Sequence, residues 1–157
     1  SACASGSHTV ADAGALIRRG EADVVLAGGI CTPVTRVLVP GFAMLQALST
    51  RNDAPERASR PFDAGRDGFV MGEDAGILIL EEWETAIDRG ATSIAEVLGG
   101  ASTADAHHIT APAPGGAGAV ACMELAMGEA GVTGTSPAGR RAGTAGGAWR
   151  RRRGCRS

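Results

Sequence analysis

Apolar positions at helical spacing open the chain. Val10, Ala13 and Ile17 recur three and four residues apart, and Arg18, Arg19 and Gly20 form a favourable helix end, so a helix is expected just after Cys3-Ala4-Ser5-Gly6. The run Ala22-Asp23-Val24-Val25-Leu26-Ala27-Gly28-Gly29 is short and apolar without alternation, which predicts a strand buried on both faces. Further helices are expected over 40–47, over 82–89 with Gly90 as the stop, and over a last stretch with Val120, Met123 and Met127 on one face and Gly131 at its end. Residues 69–71 and 77–80 read as the strands of a hairpin, 94–98 as another strand and 112–118 as a loop. Helix followed by buried strand implies an α/β layering, and no internal repeat is visible.

Composition narrows how such layers pack. The 157 residues include 24 glycines, three Phe, two Trp and no Tyr or Lys, so a core must rely on Ala, Val, Leu and Ile packed closely. Length alone suits a single globular domain. Charge then divides the chain. Seven of the 15 arginines and none of the 17 acidic residues fall in 134–157, which leaves the body at net −9 and the tail at +7. The tail is glycine-rich and has no hydrophobic period. It is expected to be disordered and foreign to the rest, a frame-shifted or vector-derived end, with an arginine arm for nucleic acid as the other reading. The expected division is therefore 1–133 as the folded domain and 134–157 as the tail.

The first residue is Ser1 with no charged and apolar leader after it, which predicts a chain that begins inside a longer protein. No apolar run approaches the length of a membrane span, and no membrane association is expected. Cys3, Cys31, Cys122 and Cys155 are widely spaced and match no metal-ligand pattern; they read as reduced thiols of a cytoplasmic protein that holds no metal.

One cysteine has a chemically suggestive place. Cys3 lies just ahead of the first helix, where unpaired amides and the positive end of the helix dipole favour the reactive thiolate. Small neighbours Ala2, Ala4, Ser5 and Gly6 leave room for a bulky thioester, and the Cys3 amide could face a developing oxyanion. Taken alone, a lone cysteine among Ala and Gly is more often a small core residue than a nucleophile.

Longer stretches supply context. Ala47-Leu48-Ser49-Thr50-Arg51-Asn52-Asp53, Ala58-Ser59-Arg60-Pro61-Phe62-Asp63 and Arg66-Asp67-Gly68-Phe69-Val70-Met71-Gly72-Glu73 closely resemble the beta-ketoacyl synthase family. Ala2-Cys3-Ala4-Ser5-Gly6, Gly28-Gly29, Gly41-Phe42 and Asp105-Ala106-His107-His108-Ile109-Thr110 extend the resemblance over residues 1–132 and point to the type II elongation enzyme of fatty-acid synthesis. The resemblance implies a thiolase-like α/β fold, here the second part of the N-terminal half and the start of the C-terminal half, from an enzyme that is usually a homodimer. It makes Cys3 the acyl-accepting nucleophile, Phe42 the gate of the acyl pocket, and His108 and Thr110 residues on the pantetheine and carrier-protein side. It implies acyl carrier protein as partner and no cofactor.

Histidine limits what the chain can do. The family's two catalytic histidines lie in an Asn-Ala-His-Gly-Thr motif and a later Gly-His motif with a nearby Lys, and neither motif occurs here. This chain is accordingly expected to be inactive by itself. His108 is expected to bond backbone or contact substrate, and His8 to be a satisfied histidine rather than a catalyst. Phe42 fits simple core packing as well as gating. The dense charges Arg60, Asp63, Arg66, Asp67 and Glu73 are expected to fix a loop. Asp74 replaces the family's usual glycine, a costly change if that position needs positive φ. Two other readings stand beside the elongation enzyme: a ketosynthase subunit of an aromatic polyketide synthase, and a non-catalytic module that binds carrier protein or, less in keeping with the sequence, nucleic acid. Ala4-Ser5-Gly6 and Ala111-Pro112-Ala113-Pro114 favour fatty-acid elongation.

Overall fold

The computed structural model describes residues 1–133 and, as backbone, a strand at 147–151. In chain order the elements are α1 (Ser5–Arg18), β1 (Val24–Cys31), α2 (Leu38–Met44), β2 (Asp74–Glu81), α3 (Trp83–Asp88), β3 (Ala95–Gly100), α4 (Ala117–Glu129) and β4 (Gly147–Arg151), with short 3-10 turns at Pro55–Arg57 and Pro114–Gly116. They fold as two units, one from residues 1–29 and from 77 onward, the other from residues 30–76.

In the first unit, α1 forms where its spacing predicts. No side chain caps its start. The Ser5 amide and hydroxyl both donate to the Ala2 carbonyl instead, at 3.1 and 2.8 Å. At its other end Gly20 takes φ +68° and donates to the Ile17 carbonyl, the left-handed exit that glycine makes cheaply. β1 pairs with β2, and the Glu82 amide donates to the Asp23 carbonyl, so the start of β1 lies beside the end of β2. Ala13 of α1, Ala27 of β1 and Leu80 of β2 form the core, with Val10, Ile17, Val25 and Val97 packed against them. These are the small aliphatic residues that the composition requires.

Several expectations change. β1 is buried on one face rather than two: Val25 and Ala27 turn toward α1, while Val24 and Leu26 are 51% and 69% exposed. Strand side chains alternate, and no described residue covers the second face. The expected hairpin of 69–71 with 77–80 does not form, because β2 pairs with β1 and Phe69 bridges Leu48 in parallel. α4 turns Ala126, fully buried, toward β3 and leaves Val120 exposed. The cause is close approach: a Cβ on Gly99 would stand 3.1 Å from the Ala126 carbonyl oxygen, so only small residues fit where α4 crosses β3. Glu129, at the end of α4, accepts the Gly100 amide at 2.8 Å and pairs with Arg18 of α1 at 2.6 Å.

α3 follows its predicted course, with the Glu82 carboxylate accepting the Thr85 amide as N-cap and Gly90 at φ +76° as the stop. The tail differs from the expected disorder over five residues. Gly147–Arg151 pairs antiparallel with β3, Glu96 opposite Arg150 and Val97 opposite Trp149, because the free edge of β3 offers unpaired backbone groups. The rest of the tail for which disorder is expected, 134–146 and 152–157, lies outside the described residues.

In the second unit, α2 begins two residues earlier than predicted. Pro40 thereby occupies the first turn, where its missing amide costs nothing, and Thr35 Oγ1 accepts the Leu38 amide. Gln46, at φ +54°, turns the chain out of the helix. The Ser49 amide donates to the Phe69 carbonyl and the Phe69 amide to the Ala47 carbonyl, both at 3.0 Å, which joins two segments about twenty residues apart. Asp74 is not among the residues with positive φ and opens β2 with its carboxylate accepting the Ala75 amide, so replacing the family glycine carries no backbone strain here.

Candidate active site

Cys3 is a free, exposed thiol two residues ahead of the first helical residue of α1. What α1 rests on decides where that thiol stands. Gly6, in the first turn, lies against Gly29 of β1 backbone to backbone: a Cβ built on Gly29 would be 3.3 Å from the Gly6 Cα. One turn on, Thr9 Oγ1 accepts the Gly28 amide at 3.1 Å and lies 2.8 Å from the carbonyl oxygens of both Gly28 and Gly6. His8, on the same helix, meets Ser1 Oγ at 2.9 Å. That contact engages one of the two ring nitrogens.

His108 and Thr110 are brought together in the loop before α4. The Thr110 and Ala111 amides both donate to His108 Nδ1, at 3.1 and 3.0 Å, so this nitrogen carries a lone pair and the ring folds the loop around itself. The neighbouring Asp105 accepts the Ala113 amide at 2.8 Å and fills the space where any side chain on Gly118 would go. Thr110 itself is exposed.

Phe42 belongs to residues 30–76, where its ring meets Phe69 edge-on with centroids 5.4 Å apart and planes at 81°. This is the favoured quadrupolar arrangement of two aromatic rings. Phe69 in turn is placed by the Leu48 bridge and by Asp67. The Asp67 carboxylate accepts the Ser49 hydroxyl at 2.8 Å, the Thr50 amide at 3.0 Å and an Arg60 N–H at 3.1 Å. Asp63 accepts the Gly65 amide, the Arg66 guanidinium donates to the Asp63 carbonyl and Glu73 accepts the Val34 amide. The charged stretch thus fixes a loop, and among the described residues no group of His, Cys, Asp and Glu is placed to hold a metal ion.

The Ser49 hydroxyl first, then the Thr50 amide, hold the Asp67 carboxyl below the usual carboxylate value. A depressed pKa means that folding favours the charged form. The stabilisation is therefore present above the ordinary value of about 3.9 and is lost as pH falls through the lower folded value. Urea unfolding followed by the amide NMR signals of Ser49 and Phe69 is expected to show a stability loss below about pH 4, which Asp67→Asn removes. An unchanged acid limb in that variant would assign the loss to other carboxylates.

Reading from the sequence alone overlooks Thr9 and the pairing of Phe42 with Phe69. For Thr9 the available signal was the coincidence of Gly6 with Gly28-Gly29, small residues that allow a helix to touch a strand directly.

A free thiol ahead of a helix that is seated on a strand through glycine contacts belongs to an α/β arrangement with room for a reactive cysteine. The beta-ketoacyl synthase N-terminal domain family matches residues 1–86. The 3-oxoacyl-[acyl-carrier-protein] synthase 2 of Rhizobium meliloti strain 1021 is 56% identical over 133 residues, 84% of this chain and 32% of that protein. The protein of the same name from Staphylococcus aureus is 50% identical over 131 residues, 83% of this chain and 32% of its own length. Among solved structures, a type II polyketide synthase acyl-carrier protein in complex with its ketosynthase, bound to the hexaketide, aligns with TM-score 0.80 and 39% identity, covering 83% of this chain and 32% of that one. A beta-ketoacyl synthase from Burkholderia phymatum STM815 aligns with TM-score 0.73 and 42% identity, covering 83% and 31%. The chain belongs to the beta-ketoacyl synthase family and carries part of its thiolase-like α/β fold. It spans about a third of the length of the curated relatives it matches.

Proposed function

We propose that this chain is the acyl-accepting portion of a β-ketoacyl-[acyl-carrier-protein] synthase of fatty-acid elongation. The observation that carries the reading is Cys3, free and exposed at the head of α1, in a chain 56% identical to a 3-oxoacyl-[acyl-carrier-protein] synthase 2. The Cys3 thiolate attacks the carbonyl of an acyl thioester, and the pantetheine thiolate of the carrier protein leaves. Malonyl-carrier protein then loses CO2, and the resulting carbanion attacks the Cys3 thioester. Cys3 departs as thiolate and the product is a β-ketoacyl thioester two carbons longer. The thioester supplies the electrophile and CO2 loss the driving force, so the scheme uses neither metal nor organic cofactor.

In this reading Phe42 gates the acyl pocket, while His108 and Thr110 lie on the side where pantetheine enters. The complete enzyme works as a homodimer in the cytoplasm with acyl carrier protein as partner. Condensation is not expected of the 157-residue chain, whose three histidines, His8, His107 and His108, fall outside both family histidine motifs. A ketosynthase of type II polyketide synthesis is the second reading, favoured by the structural likeness at TM-score 0.80. Identity is higher to the proteins named 3-oxoacyl-[acyl-carrier-protein] synthase 2, 56% and 50% against 39%.

A chimera tests both. Residues 1–132 replace the matching segment of the Rhizobium meliloti relative, and the protein is supplied with acyl- and malonyl-carrier protein. A single β-ketoacyl product two carbons longer is expected from the chimera and none from the 157-residue chain. A poly-β-ketone product would favour the polyketide reading, and turnover by the 157-residue chain would overturn the place given to the missing histidines.

A further inference from the structure

The contact between α1 and β1 is unusual in what it lacks. At the first turn Gly6 and Gly29 meet without side chains, so there no ridge enters a groove; Val10, Ala13 and Ile17 pack into the core with Val25, Ala27 and Leu80 only further along the helix. A one-residue slip moves a helix by about 1.5 Å along its axis. Displacements near 1 Å are enough to cost on the order of 100-fold in a reaction that depends on alignment.

Thr9 supplies the missing direction. Its hydroxyl oxygen receives the Gly28 amide, and its one proton is shared between the Gly28 and Gly6 carbonyls. Both backbone polar groups of a single strand residue thus converge on one side chain of the helix, a turn and a half beyond Cys3. Beyond Thr9, α1 is held by Val10, Ala13 and Ile17 in the core, while the Arg18 pair with Glu129 at its far end is exposed on both sides and contributes little.

We infer that Thr9 is a positioning residue for Cys3: it locks the first turns of α1 in register with β1 and so sets where the thiol stands. This rests on the reading of Cys3 as nucleophile, though the register itself does not. The hydrogen bonds are solvent-exposed and add modestly to stability, so the effect should appear at Cys3 before it appears in the fold.

The test compares the 157-residue chain with Thr9→Val, which keeps the branched shape and loses the hydroxyl, and Thr9→Ser, which keeps the hydroxyl. Alkylation by iodoacetamide is followed at Cys3 and Cys122 by peptide mass spectrometry, with amide exchange at Gly28. In Thr9→Val the Cys3 rate is expected to change about fivefold relative to Cys122, and Gly28 to lose protection. Thr9→Ser should restore both. Equal Cys3 rates in all three proteins would overturn the inference, and so would parallel changes at Cys3 and Cys122, which would mark Thr9 as a general structural residue. If the chimera takes no acyl group on Cys3, the functional reading fails while the alkylation ratio still decides the role of Thr9.

Discussion

Replacing Gly68 with alanine is expected to cost residues 30–76 their folded structure. Gly68 adopts φ +154°, a region that side-chain-bearing residues rarely enter. An added Cβ would stand 2.4 Å from the Leu48 carbonyl carbon and from the Ser49 nitrogen, and 2.8 Å from the Ala47 oxygen. All three neighbours are backbone, so no flexible side chain can swing aside. The clash falls on the segment that the Leu48–Phe69 bridge and the Asp67 bonds hold together. Relief requires breaking those bonds as well, and a loss of about 3 kcal/mol or more is expected. That is a large part of what a small folded unit has to lose. Amide exchange at Ser49 and Phe69 checks it, with Gly72→Ala as the control because nothing lies within 4 Å of a Cβ at Gly72. Protection should collapse in Gly68→Ala and persist in Gly72→Ala. Equal protection in both would mean that the backbone at 47–49 moves aside cheaply.

Gly68 also shows where sequence reading stops. The helices are legible because their signals are local: the Val10, Ala13, Ile17 period and the glycine stops act within a few residues. The partner of Phe69 was not legible. Phe69 sits in a short apolar run beside glycines, which suits a hairpin as well as a bridge, and the choice is made by Asp67 reaching Ser49 and Thr50 across about seventeen residues. Burial departs from the expected pattern for a related reason. Val24 and Leu26 have the composition of a doubly buried strand, yet the second face of β1 has nothing against it among the described residues. A run of apolar residues records what a strand is suited to meet, and a chain that spans a third of its relatives' length need not contain the element that meets it. The site was legible in a different way. Local chemistry leaves Cys3 between nucleophile and small core residue; within this chain its thiol is free and exposed. His108 was open between a substrate contact and a backbone contact, and its two amide donors supply the backbone contact.

In the chimera described above, Cys3→Ser is expected to lower condensation by on the order of 1,000-fold or more, while Cys31→Ser and Cys122→Ser leave it within about twofold. The argument is one of nucleophile and leaving group together. Serine differs from cysteine by one atom and fits the same space, so α1 and its seat on β1 should survive the change. Its hydroxyl, however, is almost wholly protonated near neutral pH, and among the described residues no base is shown bonded to residue 3; His8, the histidine on the same helix, is engaged with Ser1. An oxygen ester, if formed, is also a poorer acceptor for the malonyl-derived carbanion than a thioester. Both halves of the reaction therefore weaken at once. The two control cysteines separate chemistry from folding, because Cys31 is a free, exposed residue at the end of β1 and Cys122 donates to the Ala101 carbonyl from the inner side of α4. Intact-protein mass spectrometry after mixing with acyl-carrier protein alone locates the first step: one acyl mass should appear on the parent chimera and on both controls, and be absent from Cys3→Ser. An acyl adduct that persists in Cys3→Ser and maps to Cys31 would move the nucleophile along the chain and sink the assignment of Cys3.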